Sequence, residues 1–269
     1  MQRKILGNTH PEVALSLESL AAVLQCQGKL SEAEALQREA LAIQRKLLDA
    51  EHPDVALTLF GLGRLLGKEN ILDEAETSLN EAITIQRKIL NSKHPNLFVS
   101  LNELAAVFEK EGKLVEAASV RHEAAENGDT RSQYALGLMY ASGRGVPKDE
   151  TEADKWYRKA MEQYRKAAGN GDARSLNGIA WFLATCDDSK LRDGSGAIGF
   201  ADRAVAATSR KDPNILDTLA AAYAEAGQFT NAVRIEQEAI TLLHTESEIT
   251  NYTSRLRLYE SNTPYRERN

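Results

Sequence analysis

Apolar side chains recur along this chain at intervals of three and four residues, the spacing that lines one face of an α-helix. Leu17, Leu20, Ala21 and Leu24 form one such stripe, Gly28 interrupts it, and Ala33, Ala40 and Ile43 form a second. The same grammar returns as Leu59, Leu62, Gly63 and Leu66 followed by Ala75, Leu79, Ala82 and Ile85. It returns again as Leu101, Leu104, Ala105 and Phe108, followed by Gly112, Ala117 and Ala124. Each copy predicts two helices joined by a tight turn, with small residues where the two must approach closely. Such a hairpin cannot bury its own apolar face and has to stack on a neighbour.

The period is explicit in the letters. QRKILGNTHPEVALSL from Gln2 returns as QRKLLDAEHPDVALTL from Gln44 and as QRKILNSKHPNLFVSL from Gln86, 42 residues apart each time. Together the period, the small-residue slots and the His-Pro junctions resemble the tetratricopeptide repeat, in the 42-residue form found in kinesin light chains. From Gly128 the text GDTRSQYALGLMYASGRGVPKDETEADKWYRKAMEQ resembles a Sel1-like repeat, with Gly137, Tyr140, Gly143, Gly145, Ala153, Trp156, Tyr157 and Ala160 in its characteristic slots. From Asp212 the chain again resembles tetratricopeptide text, through Leu216, Leu219, Ala220, Tyr223, Gly227, Ala232 and Ala239. The resemblance implies an all-α, right-handed α-solenoid of antiparallel helix pairs. It divides into tetratricopeptide units over residues 1–126, a Sel1-like repeat over 127–171, tetratricopeptide-like units over 172–245, and a capping helix and tail over 246–269. Residues 2–6 align with the tail of a second helix whose earlier part is absent, so the chain reads as starting inside a repeat. The polar loop from Cys186 is expected to be exposed and mobile.

Composition narrows the partners. Thirty-nine acidic residues against 33 basic ones leave a net charge of -6, without the basic excess that phosphate contacts require, so nucleic acid is not an expected partner. No stretch approaches the roughly 20 apolar residues of a membrane span, and no charged-then-apolar leader opens the chain, so a cytoplasmic protein with no membrane partner is expected. Cys26 and Cys186 are far apart and read as buried structural thiols.

Candidate chemistry is sparse. His10, His52 and His94 recur every 42 residues, but equivalents in stacked hairpins lie on the order of 10 Å apart, too far to share a metal. Each His-Pro is expected instead to close one unit and open the next, with proline in the first helical turn. His122 and His244 have no partner at ligand spacing, and Gly143 and Gly145 lack the lysine and hydroxyl residue of a phosphate loop. No catalytic residue, metal site or cofactor is expected. The pairs Trp156 and Tyr157, and Trp181 and Phe182, read as core.

What remains is surface. The first helix of each pair is expected to line a concave groove that takes a protein or peptide partner. Counting from the stripes, its slots hold Glu18, Ala22 and Gln25, then Phe60, Arg64 and Gly67, then Asn102, Ala106 and Glu109. Phe60 is the expected anchor. In kinesin light chains the resemblance implies asparagines on the first helices that hold a peptide backbone, and only Asn102 matches. The expected function is a non-enzymatic interaction scaffold. The alternative is the regulatory repeat segment of a larger signalling enzyme, a kinase or nucleotide-switched ATPase, with its catalytic domain upstream.

Overall fold

A computed structural model of the chain describes residues 10–186, 189 and 191–267. Among the described residues there are thirteen helices and no strand. The half-repeat at residues 2–6 lies outside them, as do residues 187, 188 and 190 of the loop that follows Cys186. The chain divides into two compact units that meet in sequence between Trp156 and Tyr157.

In the first unit, α1 (Pro11–Cys26) pairs with α2 (Leu30–Leu47), α3 (Pro53–Lys68) with α4 (Leu72–Ile89), and α5 (Pro95–Glu111) with α6 (Leu114–Glu126). Then come α7 (Thr130–Ser142) and the start of α8 (Glu150–Gly169). Each His-Pro starts a first helix, as the spacing predicts, and the histidine does more than mark the junction. The Nδ1 atoms of His10, His52 and His94 accept from the backbone N–H two residues on, at 3.2, 3.2 and 3.1 Å. Each ring therefore caps its helix by satisfying one of the N–H groups that a helix start leaves unpaired, while proline supplies a residue with no N–H to satisfy.

The hairpin turns also repeat. Gly28 and Gly112 sit at φ 75°, and Asn70, their 42-residue equivalent, is forced to φ 63°. Left-handed backbone suits glycine, and asparagine tolerates it better than most residues. The glycines of the Sel1-like text behave as expected, with Gly143 at φ 72° and Gly145 at φ 69°; a Cβ on Gly145 would collide with the carbonyl of Leu114.

Packing between pairs buries Leu59, Leu62, Leu79, Ile83, Leu101, Leu104 and Phe108 in one cluster that runs on to Leu136 and Trp156. At Gly63 an added Cβ would lie 2.7 Å from Leu79 Cγ, which explains the small residue in that slot. Arg38–Glu74, Arg45–Glu81 and Arg87–Glu123 bridge successive second helices at 2.5, 2.6 and 2.5 Å across exposed surface.

Two sequence expectations fail at α1. Leu20 is 50% exposed and Val23 51%, whereas their equivalents Leu62 and Leu65 are 3% and 0% exposed. Leu65 is buried against Ala21, Ala33 and their neighbours in the preceding pair, and no described pair precedes α1. Cys26 is exposed, in a slot whose equivalents Lys68 and Lys110 are also exposed, while Cys186 is buried as expected.

The second unit holds the rest of α8, then α9 (Ala173–Thr185) paired with α10 (Gly194–Ala207) and α11 (Pro213–Glu225) paired with α12 (Phe229–Thr241). A last helix, α13 (Glu246–Glu260), packs on α12. Here the caps change to Asp172, Asp193, Asp212 and Thr245, each accepting from a backbone N–H of the first turn. Tyr157 and Phe182 meet edge to face at 5.5 Å in the core. Leu191 and Arg192, the far end of the polar loop, are half-buried, and Arg192 Nη1 donates to the Cys186 carbonyl at 2.9 Å, so this end of the loop is anchored.

Candidate functional site

The first helices of the first unit turn one side outward, and the structure sorts the expected slot residues into two groups. Glu18 is half-buried and accepts from Gln44 Nε2 at 3.1 Å and from the Thr58 hydroxyl, which also reaches Gln44 Oε1 at 2.7 Å. Asn102 Nδ2 donates to the Phe98 carbonyl and to Asp129 Oδ2, both at 2.8 Å, while its Oδ1 accepts from Ser132 Oγ at 3.1 Å. Glu109 holds Arg121 at 2.8 Å. These three polar groups are committed to neighbouring helices. The peptide-holding role that the resemblance implied for Asn102 therefore has no free donor behind it.

Phe60 and Arg64 remain open. Phe60 is half-buried at the edge of the core cluster, and the Arg64 guanidinium lies 5.7 Å from its ring centroid. Gly67 is a correction: it is buried, and a Cβ there would lie 3.4 Å from Val107, so the outward side of α3 runs through Leu57, Phe60 and Arg64 instead. Ala22 is exposed, and Gln25 and Ala106 are half-buried.

Beside Phe60 lies a notch of about 270 Å³, bounded by the start of α3 (Ala56, Leu57, Phe60), the end of α4 (Gln86, Ile89) and the start of α5 (Val99). Of these residues sequence reasoning offered only Phe60; besides the buried Ala56 it missed four. Leu57, Ile89 and Val99 are exposed large apolar side chains, and Leu15, Leu57 and Val99 are 42-residue equivalents, so the signal was present in the alignment of the copies. Gln86, equivalent to Gln44, is the fourth. In the preceding pair the carboxylate of Glu18 takes the Gln44 amide; here Phe60 stands in the place of Glu18. Ser100, in the place of Thr58, donates to its own helix at Asn96, and the buried Oε1 of Gln86 has no hydrogen-bond partner among the described residues.

In the second unit the same count from the stripes gives Asn177, Trp181 and Ala184 on α9, and Asp217, Ala221 and Ala224 on α11. Trp181 is a second correction, since it is only half-buried and faces Tyr265 rather than the core. Asp217 is buried and accepts from Arg255 Nε of α13 at 2.6 Å. Glu236 of α12, fully buried, sits 3.8 Å from the same guanidinium. Burial, and next to it the charge of Asp217, push the Glu236 carboxyl up to about 9. Burial also raises Asp217, against the pull of Arg255. The pair is thus held with one proton, which lets Glu236 donate to Asp217 while Arg255 neutralises the remaining charge. Among the described residues no group of three or more His, Cys, Asp or Glu side chains is placed to hold a metal ion, and no helix is long and apolar enough to cross a membrane.

Consecutive antiparallel helix pairs, the first three with the same His-Pro caps, define a helical-repeat protein. The repeat itself is identified by its family: residues 13–54 match the model of the tetratricopeptide repeat. Several solved structures are similar over most of the chain. A Podosopora anserina kinesin light chain candidate with nearly identical TPR-like repeats is 22% identical, covering 91% of this chain and 99% of its own, with a TM-score of 0.44. BtubC (BKLC) from P. vanneervenii is 19% identical over 91% of this chain and 82% of its own, with a TM-score of 0.48. A Sel1 repeat protein from Oxalobacter formigenes is 19% identical over 89% of this chain and 98% of its own, with a TM-score of 0.46. No curated protein sequence matches the chain.

Proposed function

We propose that this protein is a scaffold without a reaction of its own, and that it takes a segment of a partner protein on the first-helix face of its first unit. The observation that carries this reading is the notch between Leu57, Phe60, Ile89 and Val99, with Gln86, whose buried Oε1 is unpaired among the described residues, in its wall. Exposed apolar side chains grouped around a concavity are the usual anchor site of an interface. An acceptor left unpaired in such a place carries a desolvation cost that a ligand's donor would remove. The side chain that fits is apolar in body and carries one N–H or O–H. Affinity in the micromolar range, roughly -8 kcal/mol, is expected of such a transient contact.

Selection from a displayed library of random peptides tests this. Enriched peptides should share one apolar, donor-bearing residue and lose at least tenfold in affinity on Phe60→Glu and on Gln86→Leu, at unchanged melting temperature. Enrichment of nothing above background, or of peptides indifferent to both substitutions, would sink the reading.

A further inference from the structure

The first-helix face of the second unit is already occupied. After α13 the chain turns back, with Thr263 N donating to the Leu258 carbonyl, and residues 265–267 lie along α9 and α11. The three side chains are gripped in three different ways. Tyr265 packs on Trp181, ring centroids 5.7 Å apart, with the Arg255 guanidinium 5.6 Å from the tyrosine ring. Arg266 Nη2 meets Glu225 Oε2 at 2.6 Å. Glu267 Oε2 accepts from Trp181 Nε1 at 2.9 Å. The main chain joins in, with Glu267 N donating at 3.2 Å to the carbonyl of Thr185, the last residue of α9. Arg266 Nη1 also points at the Ala184 carbonyl, 3.5 Å away. The end of a helix leaves carbonyls unpaired and carries partial negative charge, so a tail N–H and a guanidinium are suited to that place.

Trp181 occupies the same slot on α9, counted from the apolar stripe, that Arg64 occupies on α3. An aromatic plate, an acceptor for arginine, an indole donor and a free main-chain carbonyl, set side by side, make a receptor for an extended segment. What the tail does there in cis a segment of the same chemistry can do in trans.

We propose that this face of the second unit is a binding site for an extended segment reading aromatic, arginine, acidic in order, and that residues 265–267 hold it closed until such a segment displaces them. The proposal stands apart from the first unit's notch. A short tether presents the tail at an effective concentration on the order of millimolar; against an intrinsic affinity near ~10 μM, it weakens a competing segment about 100-fold.

The probe is a fluorescein-labelled peptide of residues 260–269, Glu-Ser-Asn-Thr-Pro-Tyr-Arg-Glu-Arg-Asn, titrated by fluorescence polarisation against the full chain. Two variants release the tail: Tyr265→Ser combined with Arg266→Ser, and Arg266→Glu alone, which opposes Glu225 and leaves the aromatic packing intact. Both should bind the peptide about 100-fold more tightly than wild type. Adding Glu225→Gln to either should cost about tenfold, because a charge-assisted contact is lost. A peptide with Tyr265, Arg266 and Glu267 in reversed order should bind at least tenfold more weakly. Equal binding to wild type and released variants would overturn the proposal. So would indifference to Glu225→Gln, or a wild-type dimer in sedimentation that Arg266→Glu dissolves, since the tail would then belong to a second copy.

Discussion

The two units build the same kind of first helix and treat its outward side in opposite ways. On α3 that side carries Leu57, Phe60 and Arg64, with a notch and an unpaired Gln86 carbonyl beside them. On α9 and α11 it carries Trp181 and Asp217, both engaged by the chain's own α13 and tail. The difference shows where binding energy is spent. A face whose polar groups are satisfied from within contributes to folding, and on the proposed reading a face left with an apolar notch and an orphan acceptor keeps that energy for a partner.

Removing the arginine from each face breaks the comparison most sharply. Arg255→Ala strips the counter-charge from buried Asp217 and should destabilise the protein by about 3–5 kcal/mol in chemical denaturation. Arg64→Ala, on the open face, should change stability by less than about 0.5 kcal/mol. Similar losses from both would mean that the two faces are not different in kind.

The buried acid gives the next largest effect. Glu236 titrates near 9 in the folded protein and near its ordinary value of about 4.3 when unfolded. The stability tied to its proton is fully present below the lower value and drains away as pH rises toward the upper one. Glu236→Gln keeps the hydrogen bond without the titration. Its melting temperature should exceed that of wild type by about 5 °C at pH 8 and match it at pH 4. A gap that is the same at both pH values would show that Glu236 is ionised in the fold.

Asn70→Gly sharpens the comparison by stabilising the first unit away from its face. Glycine at φ 63° relieves the left-handed strain, as Gly28 and Gly112 do in the flanking copies, for a gain of roughly 0.5 kcal/mol. Peptide affinity should stay unchanged in the same sample. The smallest effect belongs to Leu57→Asn: stability within about 0.5 kcal/mol of wild type by thermal melting, because the side chain is exposed, with loss of the selected peptide.

Period, hairpins, turns and helix starts were all legible in the sequence, because each repeats every 42 residues and depends on near neighbours along the chain. The half-buried place of Phe60 at the edge of the core was legible by counting from the apolar stripe. Gly67 was not, since Val107 of α5 covers it, and a count along one helix does not show what the next pair brings against it. Glu18, Asn102 and Glu109 looked free because their partners lie 12 to 40 residues away on other helices. Trp181 looked like core because Glu267, which accepts from its indole, is 86 residues distant. The fold rests on local, repeated chemistry, whereas the availability of a surface side chain is decided by whichever distant element reaches it first.

The most direct test of the open and closed faces is one set of polarisation titrations, with a peptide selected on the wild-type chain and measured against wild type, Phe60→Glu and Tyr265→Ser. Phe60→Glu restores the acid found at Glu18 and replaces the apolar ring of the notch with a charge, so affinity should fall at least tenfold while melting temperature holds. Tyr265→Ser should leave that affinity unchanged. Retained binding in Phe60→Glu, or loss in Tyr265→Ser, would contradict the assignment of the open face to the first unit.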